Sequence, residues 1–293
     1  MSKFNKETDR LSYSSLTRLI KEGVQGFLNP VYKRNNALEK GSIIDKIVFE
    51  EPITETIIDI PIPKPQIKAI IENIFTEEYN YDLSMENLEK VCTILEVKSK
   101  NFEKIKESVL EFPEYIEYAK NPRGKFLKPN FELGTAIANN VLKDREATYL
   151  FSNGKAQFEW TFNYRGFTMY IKTDYLKVDH SRREIIITDL KSSSYPPKFP
   201  DSVQKYLYHL QGALYTKGVE DWMEKNDLSH YVLKTFHWVV CNSTKVDSVL
   251  VYPLSYKDET EGNRILEETL DKIDKYIENN WQEISEEDTL TFF

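Results

Sequence analysis

Lys172-Thr-Asp-Tyr-Leu-Lys-Val-Asp179 and, after a polar turn, Glu184-Ile-Ile-Ile-Thr-Asp-Leu-Lys191 are the two segments on which the reading of this chain turns. Both are short and rich in β-branched or aromatic residues. The second, an apolar run bounded by polar turns, predicts a strand buried in the centre of a sheet. Three charges interrupt the pattern: Asp174 near the end of one strand, and Asp189 and Lys191 at the end of the next. Charge inside a sheet is costly unless it is paired or bound to metal. Strand residues two apart share a face, so Asp189 and Lys191 project together, and the short connection lets Asp174 approach from the neighbouring strand. Two carboxylates and an ammonium are the minimum for magnesium-assisted phosphodiester hydrolysis. Asp174 and Asp189 can hold the cation, the backbone carbonyl of Leu190 can add an oxygen, and Lys191 can orient water and stabilise developing negative charge. A buried Asp–Lys ion pair that pins two strands together explains the same triplet structurally.

Downstream, a loop over Ser192 to Pro200 leads to a helix predicted from Asp201 to Asn226. Gln204, Tyr208, Gln211 and Tyr215 follow at spacings of four, three and four, a polar and aromatic stripe on one helical face that can reach Lys191, a water or a DNA phosphate. Surface polarity with packed tyrosines accounts for it equally simply. Two strands, Val232 to Cys241 and Val246 to Pro253, and an acidic helix from Glu259 to Trp281 complete this half. Upstream, Gln157 to Tyr164 alternates as a strand, and Arg165-Gly166 is a hairpin turn.

The first helix is expected to start at Ser12 or Ser14 and to stop near Gly23 and Gly26, and a second to run from Ala37 to Phe49. Pro-rich residues 60–65 break the pattern, and residues 66–119 are helical, glycine-free and glutamate-rich. Between Lys120 and Lys128 come Lys120, Arg123, Lys125 and Lys128 with no acidic residue, a basic loop that is either flexible surface or a phosphate contact. Helix resumes from Leu133 to Lys143. The expected organisation is therefore residues 1–50 as N-terminal helices of the core, 51–130 as a helical insertion with the basic loop, and 131–293 as the main core.

With 40% hydrophobic and 29% charged residues, the 293-residue chain can bury a sizeable core, which excludes wholesale disorder. No run approaches the ~20 apolar residues of a membrane-spanning helix, and no leader is visible near Met1, so a cytoplasmic protein without membrane contact is expected. Two distant cysteines, Cys92 and Cys241, make no zinc cluster, and the four histidines include no helical His-x-x-x-His pair; any metal should be oxygen-ligated. A formal charge of −8 argues against a passive nucleic-acid coat but not against an enzyme that focuses positive charge in one groove.

Lys172-Thr-Asp174, Ile-Thr-Asp189-Leu-Lys191-Ser-Ser and Gln204 through Gln211-Gly-Ala-Leu-Tyr215 together resemble the PD-(D/E)XK nucleases, in particular their RecE (exonuclease VIII) and RecB-nuclease-like branch. Leu11-Ser-Tyr-Ser-Ser-Leu16 is similar to the opening of RecE-like phage exonucleases, and Leu38-Glu-Lys-Gly41-Ser-Ile-Ile-Asp45 to their Gly-x-x-x-His helix. The resemblance spans most of the chain outside residues 51–130. It implies an α/β, restriction-endonuclease-like core of mixed sheet flanked by helices, carrying a Mg²⁺- or Mn²⁺-dependent exonuclease for linear double-stranded DNA in phage recombination or repair. It assigns catalysis to Asp174, Asp189, Lys191 and Gln211. The metal set adds Leu190 and, as departures from the family, Asp45 in place of a histidine and Glu159 in place of the acidic residue matched by Gln157. Lys172, Gln204, Tyr208, Tyr215, Lys125 and Lys128 are the candidate DNA contacts. A homo-oligomer and a single-strand annealing or binding protein are the partners it implies. An endonuclease on the same core, and a non-catalytic DNA-binding scaffold, are the competing readings. The terminal Phe292-Phe293 is read either as packing back onto its own domain or as a docking peptide.

Overall fold

The computed structural model describes residues 4–6, 8–30, 36–98 and 101–281, so the terminal phenylalanines lie outside the described residues. In chain order the elements are β1 (Arg10–Leu11), α1 (Tyr13–Leu28), α2 (Asn36–Val48), β2 (Thr56–Ile58), α3 (Pro65–Ile74), α4 (Met85–Ile94), α5 (Phe102–Leu110) and α6 (Pro113–Lys120). There follow β3 (Lys125–Leu127), α7 (Lys128–Val141), α8 (Arg145–Leu150), β4 (Gly154–Tyr164), β5 (Phe167–Asp179), β6 (Glu184–Ser193), α9 (Phe199–Lys205) and α10 (Tyr208–Lys225). The chain closes with β7 (Val232–Leu233), β8 (His237–Asn242), β9 (Val249–Pro253) and α11 (Tyr256–Glu278). No described helix is long and apolar enough to cross a membrane. The chain forms two compact units, residues 1–51 with 133–293, and residues 52–132.

The first unit is a mixed α/β structure built on a seven-stranded sheet in the order β1-β5-β6-β8-β9, with β4 on β5 and β7 on β6. The β5–β6 and β8–β9 pairs are antiparallel, whereas β6–β8 and β1–β5 are parallel. Strand alternation divides the apolar residues between two cores. Ile185 and Ile187 of β6 and Trp238 and Val240 of β8 join residues of α1, α9, α10 and α11, while Ile186, Leu190, Val239 and Cys241 join those of α2, α7 and α8. Helices thus cover both faces, as the apolar run of β6 requires. Arg165 and Gly166 both take positive φ, 54° and 77°, the geometry that matches a two-residue hairpin to strand twist.

The second unit has its own core, made of residues of α3, α4, α5 and α6 together with Leu127. Here the basic loop expected over residues 120–128 is corrected: Lys125–Leu127 is β3, paired in parallel with β2, and Lys128 opens α7. Phe126 and Leu127 are buried, and burying those two side chains fixes the backbone between the lysines.

Two helix boundaries also differ from the sequence reading. The first helix runs through Gly23, which at φ 68° and ψ −165° kinks it, and ends at Leu28; its start is the capping box of Ser12 and Ser15. The helix expected over residues 201–226 is two helices, because Leu207 adopts left-handed φ 60° between α9 and α10. Leucine in that conformation is strained, and it is retained here with its side chain buried.

α10 and α11 approach so closely that a Cβ on Gly262 would stand 2.1 Å from the backbone oxygen of His209. Backbone cannot yield as a side-chain tip can, so Gly262→Ala should cost about 1–3 kcal/mol of stability, read as a lower urea midpoint. A midpoint equal to that of the unaltered chain would contradict the close crossing.

Candidate active site

β5 carries β4 along one edge, but its other edge is shared: β1 pairs at Thr168 and Met169, and β6 pairs only from Tyr175 onward. The β5–β6 ladder stops at Tyr175 opposite Thr188, and the next pair in that register is Asp174 opposite Asp189. The two strands part there, and the Asp174 carboxylate takes over a ladder bond, accepting the Leu190 N–H at 2.7 Å. The alternation of β5 also slips: Met169 and Ile171 belong to the same core as Leu176, an odd-to-even change that falls between Ile171 and Leu176. Gln157, the β4 residue in register with Asp174, has φ 49°, a strained conformation at the same point.

Asp189 is 2% exposed and uses both oxygens. Oδ1 accepts from Gln211 Nε2 at 2.8 Å, and Oδ2 forms the ion pair with Lys191. The ammonium of Lys191 lies 4.9 Å from the ring centroid of Tyr208. Burial alone would lower the Lys191 pKa, but the carboxylates of Asp189 and Asp174 outweigh it and hold the group above the ordinary lysine value. Asp174 moves far up from the usual carboxylate range, first through burial and then through the charges of Asp189 and Asp45, with Lys191 and the Leu190 N–H opposing. Burial also pushes Asp45 up to about 7, against the pull of Lys191 and with Asp189 and Glu51 adding to it. Lys177, a second buried lysine on β5, shows the contrast: it donates to Tyr149 O at 2.6 Å and Ser152 Oγ at 3.2 Å, and burial lowers its pKa.

Asp45, Asp174 and Asp189 thus set three carboxyl groups against one lysine in a half-buried to buried site, where burial favours the protonated form of Asp45 and Asp174. No group of three His, Cys, Asp or Glu among the described residues stands at ligand spacing for a metal. A hard divalent cation needs only one or two carboxylates and completes its octahedron with waters and substrate oxygens. The crowded carboxyl groups, whose ionised form a cation would favour, and the all-oxygen donor set at Asp174 and Asp189 fit that requirement.

The remaining candidates divide. Gln211 and Tyr208 reach the centre, whereas Gln204, beyond the Leu207 break, bonds Asp258 at 3.1 Å on the surface, so the four-residue stripe is not one helical face. Tyr215 is buried at 7% exposure, a position closed to a DNA phosphate. Glu159 is corrected as a metal ligand: register sets it opposite Lys172, 3.4 Å away and half-exposed, and hydrogen bonding to Tyr170 comes first in lowering its pKa. Lys172 is thereby paired on the surface. In the second unit Lys128 is bonded to Asp59 at 2.6 Å, and Lys125 is half-buried in β3.

Tyr13 was not singled out by its sequence. Its hydroxyl donates to Tyr206 O at 2.5 Å, and its pKa is raised by burial first, with the charge of Lys191 opposing and those of Tyr208, Asp189 and Tyr215 adding to it. An aromatic residue in the first turn of an amphipathic helix carries no sequence signal for that role.

No family model and no curated protein matches the sequence. Among solved structures the chain is similar to a protein from Eubacterium rectale described as a candidate exonuclease, at 14% identity over 97% of this chain and 89% of that one, with a TM-score of 0.54. The likeness is one of fold, a mixed central sheet flanked by helices, of the kind found in that nuclease-like neighbour.

An ordinary aspartate titrates near 3.8, Asp45 near 7 in the fold. Between about pH 4 and pH 7 the folded protein keeps a proton that the unfolded chain has released, so stability falls as pH rises through that window. Asp45→Asn should therefore raise stability in EDTA by up to about 4 kcal/mol at pH 8 and change it little at pH 4, as thermal melts at the two pH values will show. An equal effect at both would contradict the shift.

Proposed function

We propose that this protein is a divalent-metal-dependent deoxyribonuclease of the PD-(D/E)XK kind, acting as an exonuclease on linear double-stranded DNA in recombination or repair. One observation carries the reading: Asp174 and Asp189 stand one step past the last β5–β6 pair, where the two strands part, with Asp174 on the Leu190 N–H and with Lys191 and Gln211 on Asp189. The likeness of fold to the Eubacterium rectale protein and the ordered motifs of the sequence support it. Asp174 and Asp189, with the carbonyl of Leu190, are the residues that would hold Mg²⁺ or Mn²⁺. Such a cation supplies Lewis-acid polarisation of a phosphate and a more acidic water.

The chain's own groups do the rest. Lys191, with its pKa raised, stays an ammonium at neutral pH, so it serves as fixed positive charge toward the phosphate oxygens and not as a proton acceptor. Gln211 fixes the orientation of Asp189. Tyr208 walls the ammonium with an aromatic face, limiting its motion.

Asp174→Ala, Asp189→Ala and Lys191→Ala should each lower turnover of end-labelled linear duplex by ~10²-fold or more, with Gln211→Ala impaired more than Gln204→Ala. Digestion should need Mg²⁺ or Mn²⁺, stop in EDTA and spare supercoiled circles. Undiminished cleavage in either aspartate variant would sink the site. Nicking of circles would favour an endonuclease, and binding without cleavage a scaffold.

A further inference from the structure

Immediately outside the charged centre, the chain between α9 and α10 exposes a tyrosine that the core does not use. Tyr206 is 42% exposed, although its neighbour Leu207 is buried and strained. Two lysines border its ring: Lys21 Nζ lies 5.3 Å and Lys205 Nζ 5.4 Å from the ring centroid. Lys21 also donates to the backbone oxygen of Lys205 at 3.0 Å. Both lysines are exposed, and among the described residues no carboxylate stands within ion-pair distance of either. In a chain of net charge −8, whose other lysines include many paired ones, two adjacent ammonium groups without a counter-ion mark a local place for an anion.

The patch is connected to the centre. The Tyr206 ring packs against Tyr208 with centroids 5.6 Å apart, and Tyr208 in turn borders the Lys191 ammonium. The Tyr13 hydroxyl donates to the Tyr206 carbonyl at 2.5 Å and so fixes the backbone that presents the ring. Aromatic faces receive bases of any sequence, but only bases that are not already stacked in a duplex, and flanking lysines take the phosphates on either side.

We infer that Tyr206, Lys21 and Lys205 form a subsite for an unpaired stretch of DNA strand next to Asp174, Asp189 and Lys191, with one base stacked on Tyr206 and its phosphates on the two lysines. This deepens the nuclease reading and rests on it: the strand entering the centre is held single, as at a frayed or resected end. The lysines' cation–π contacts are weak in water, so both side chains can turn from the ring to a phosphate.

The test uses the full chain in EDTA, so that no strand is cut, and a short single-stranded oligothymidylate carrying one 2-aminopurine, whose fluorescence is quenched by stacking. Tyr206→Ala should weaken binding ~5- to ~100-fold and abolish the quenching, while Tyr206→Phe should retain both, because stacking needs the ring and not the hydroxyl. Lys21→Ala and Lys205→Ala should each reduce the slope of log affinity against log salt by ~0.7. Wild-type binding and quenching in Tyr206→Ala, a Tyr206→Phe variant as weak as Tyr206→Ala, or no binding of the oligonucleotide by the unaltered chain would overturn the subsite. If the duplex is degraded yet Tyr206→Ala binds normally, the subsite alone fails. If the variants behave as expected but the unaltered chain digests no duplex in Mg²⁺ or Mn²⁺, the nuclease reading fails and the strand site stands.

Discussion

Asp189 is clamped from two sides, by the Lys191 ammonium on one oxygen and the Gln211 amide on the other, and it sits almost fully inside the sheet. Taking a carboxylate out of water costs several kcal/mol after relaxation, a cost that partners with good geometry can offset. Much of the first unit can be understood as the arrangement that keeps those partners in place. β6 brings Lys191 on the same strand face two residues later, and α10 lays Gln211 across it. Asp174 enters from β5 only because the ladder between the strands stops one pair earlier, and its second demand, the Leu190 N–H, replaces the bond the ladder no longer supplies. Asp174 and Asp45 lack such a full set of partners, and burial first, then the neighbouring carboxylates, holds both above their ordinary range.

Two strained backbone positions border this centre. Gln157, in register with Asp174, and Leu207, at the start of the helix that carries Gln211, both have positive φ although neither is glycine or asparagine. Each such residue costs on the order of 1–3 kcal/mol and persists only where its surroundings over-determine it. At Leu207 those surroundings are a buried side chain and the hydrogen bonds from Leu210 and Gln211 N–H to its carbonyl. The consequence is functional in geometry: the break turns Gln204 toward Asp258 while Gln211 stays on Asp189, and it leaves Tyr206 standing outward.

Positive charge is distributed unevenly over an acidic chain. Lys90, Lys120, Lys128, Lys172 and Lys225 are each paired with a carboxylate, and Arg165 and Arg264 each with two. Exposed pairs of this sort contribute little to stability, but they remove the cations from competition for a polyanion. Lysines without such partners, such as Lys21 and Lys205, then carry disproportionate weight in attracting one.

How much of this was legible beforehand depends on the range of the interaction involved. The order of helices and strands, the central position of β6, the hairpin at Arg165-Gly166 and the pairing of Asp189 with Lys191 on one face are consequences of local periodicity and turn chemistry, and those are written in consecutive residues. Asp189 and Lys191 could be named together because strand spacing sets them on one face, and Asp174 because a short connection joins its strand to theirs, whereas Gln211 was named from its polar stripe and the family resemblance. The Leu207 break, the slip in β5, the demotion of Glu159 to a surface pair and the burial of Tyr215 could not. Each is decided by which distant side chains fill the core and which carboxylate happens to face which lysine. Tyr13 belongs to the same class: 193 residues of chain separate it from the Tyr206 carbonyl it holds. The sequence by itself determined the chemistry available and the elements that carry it; the tertiary structure decided which groups meet, because register, strain and burial are settled only when the whole core packs at once.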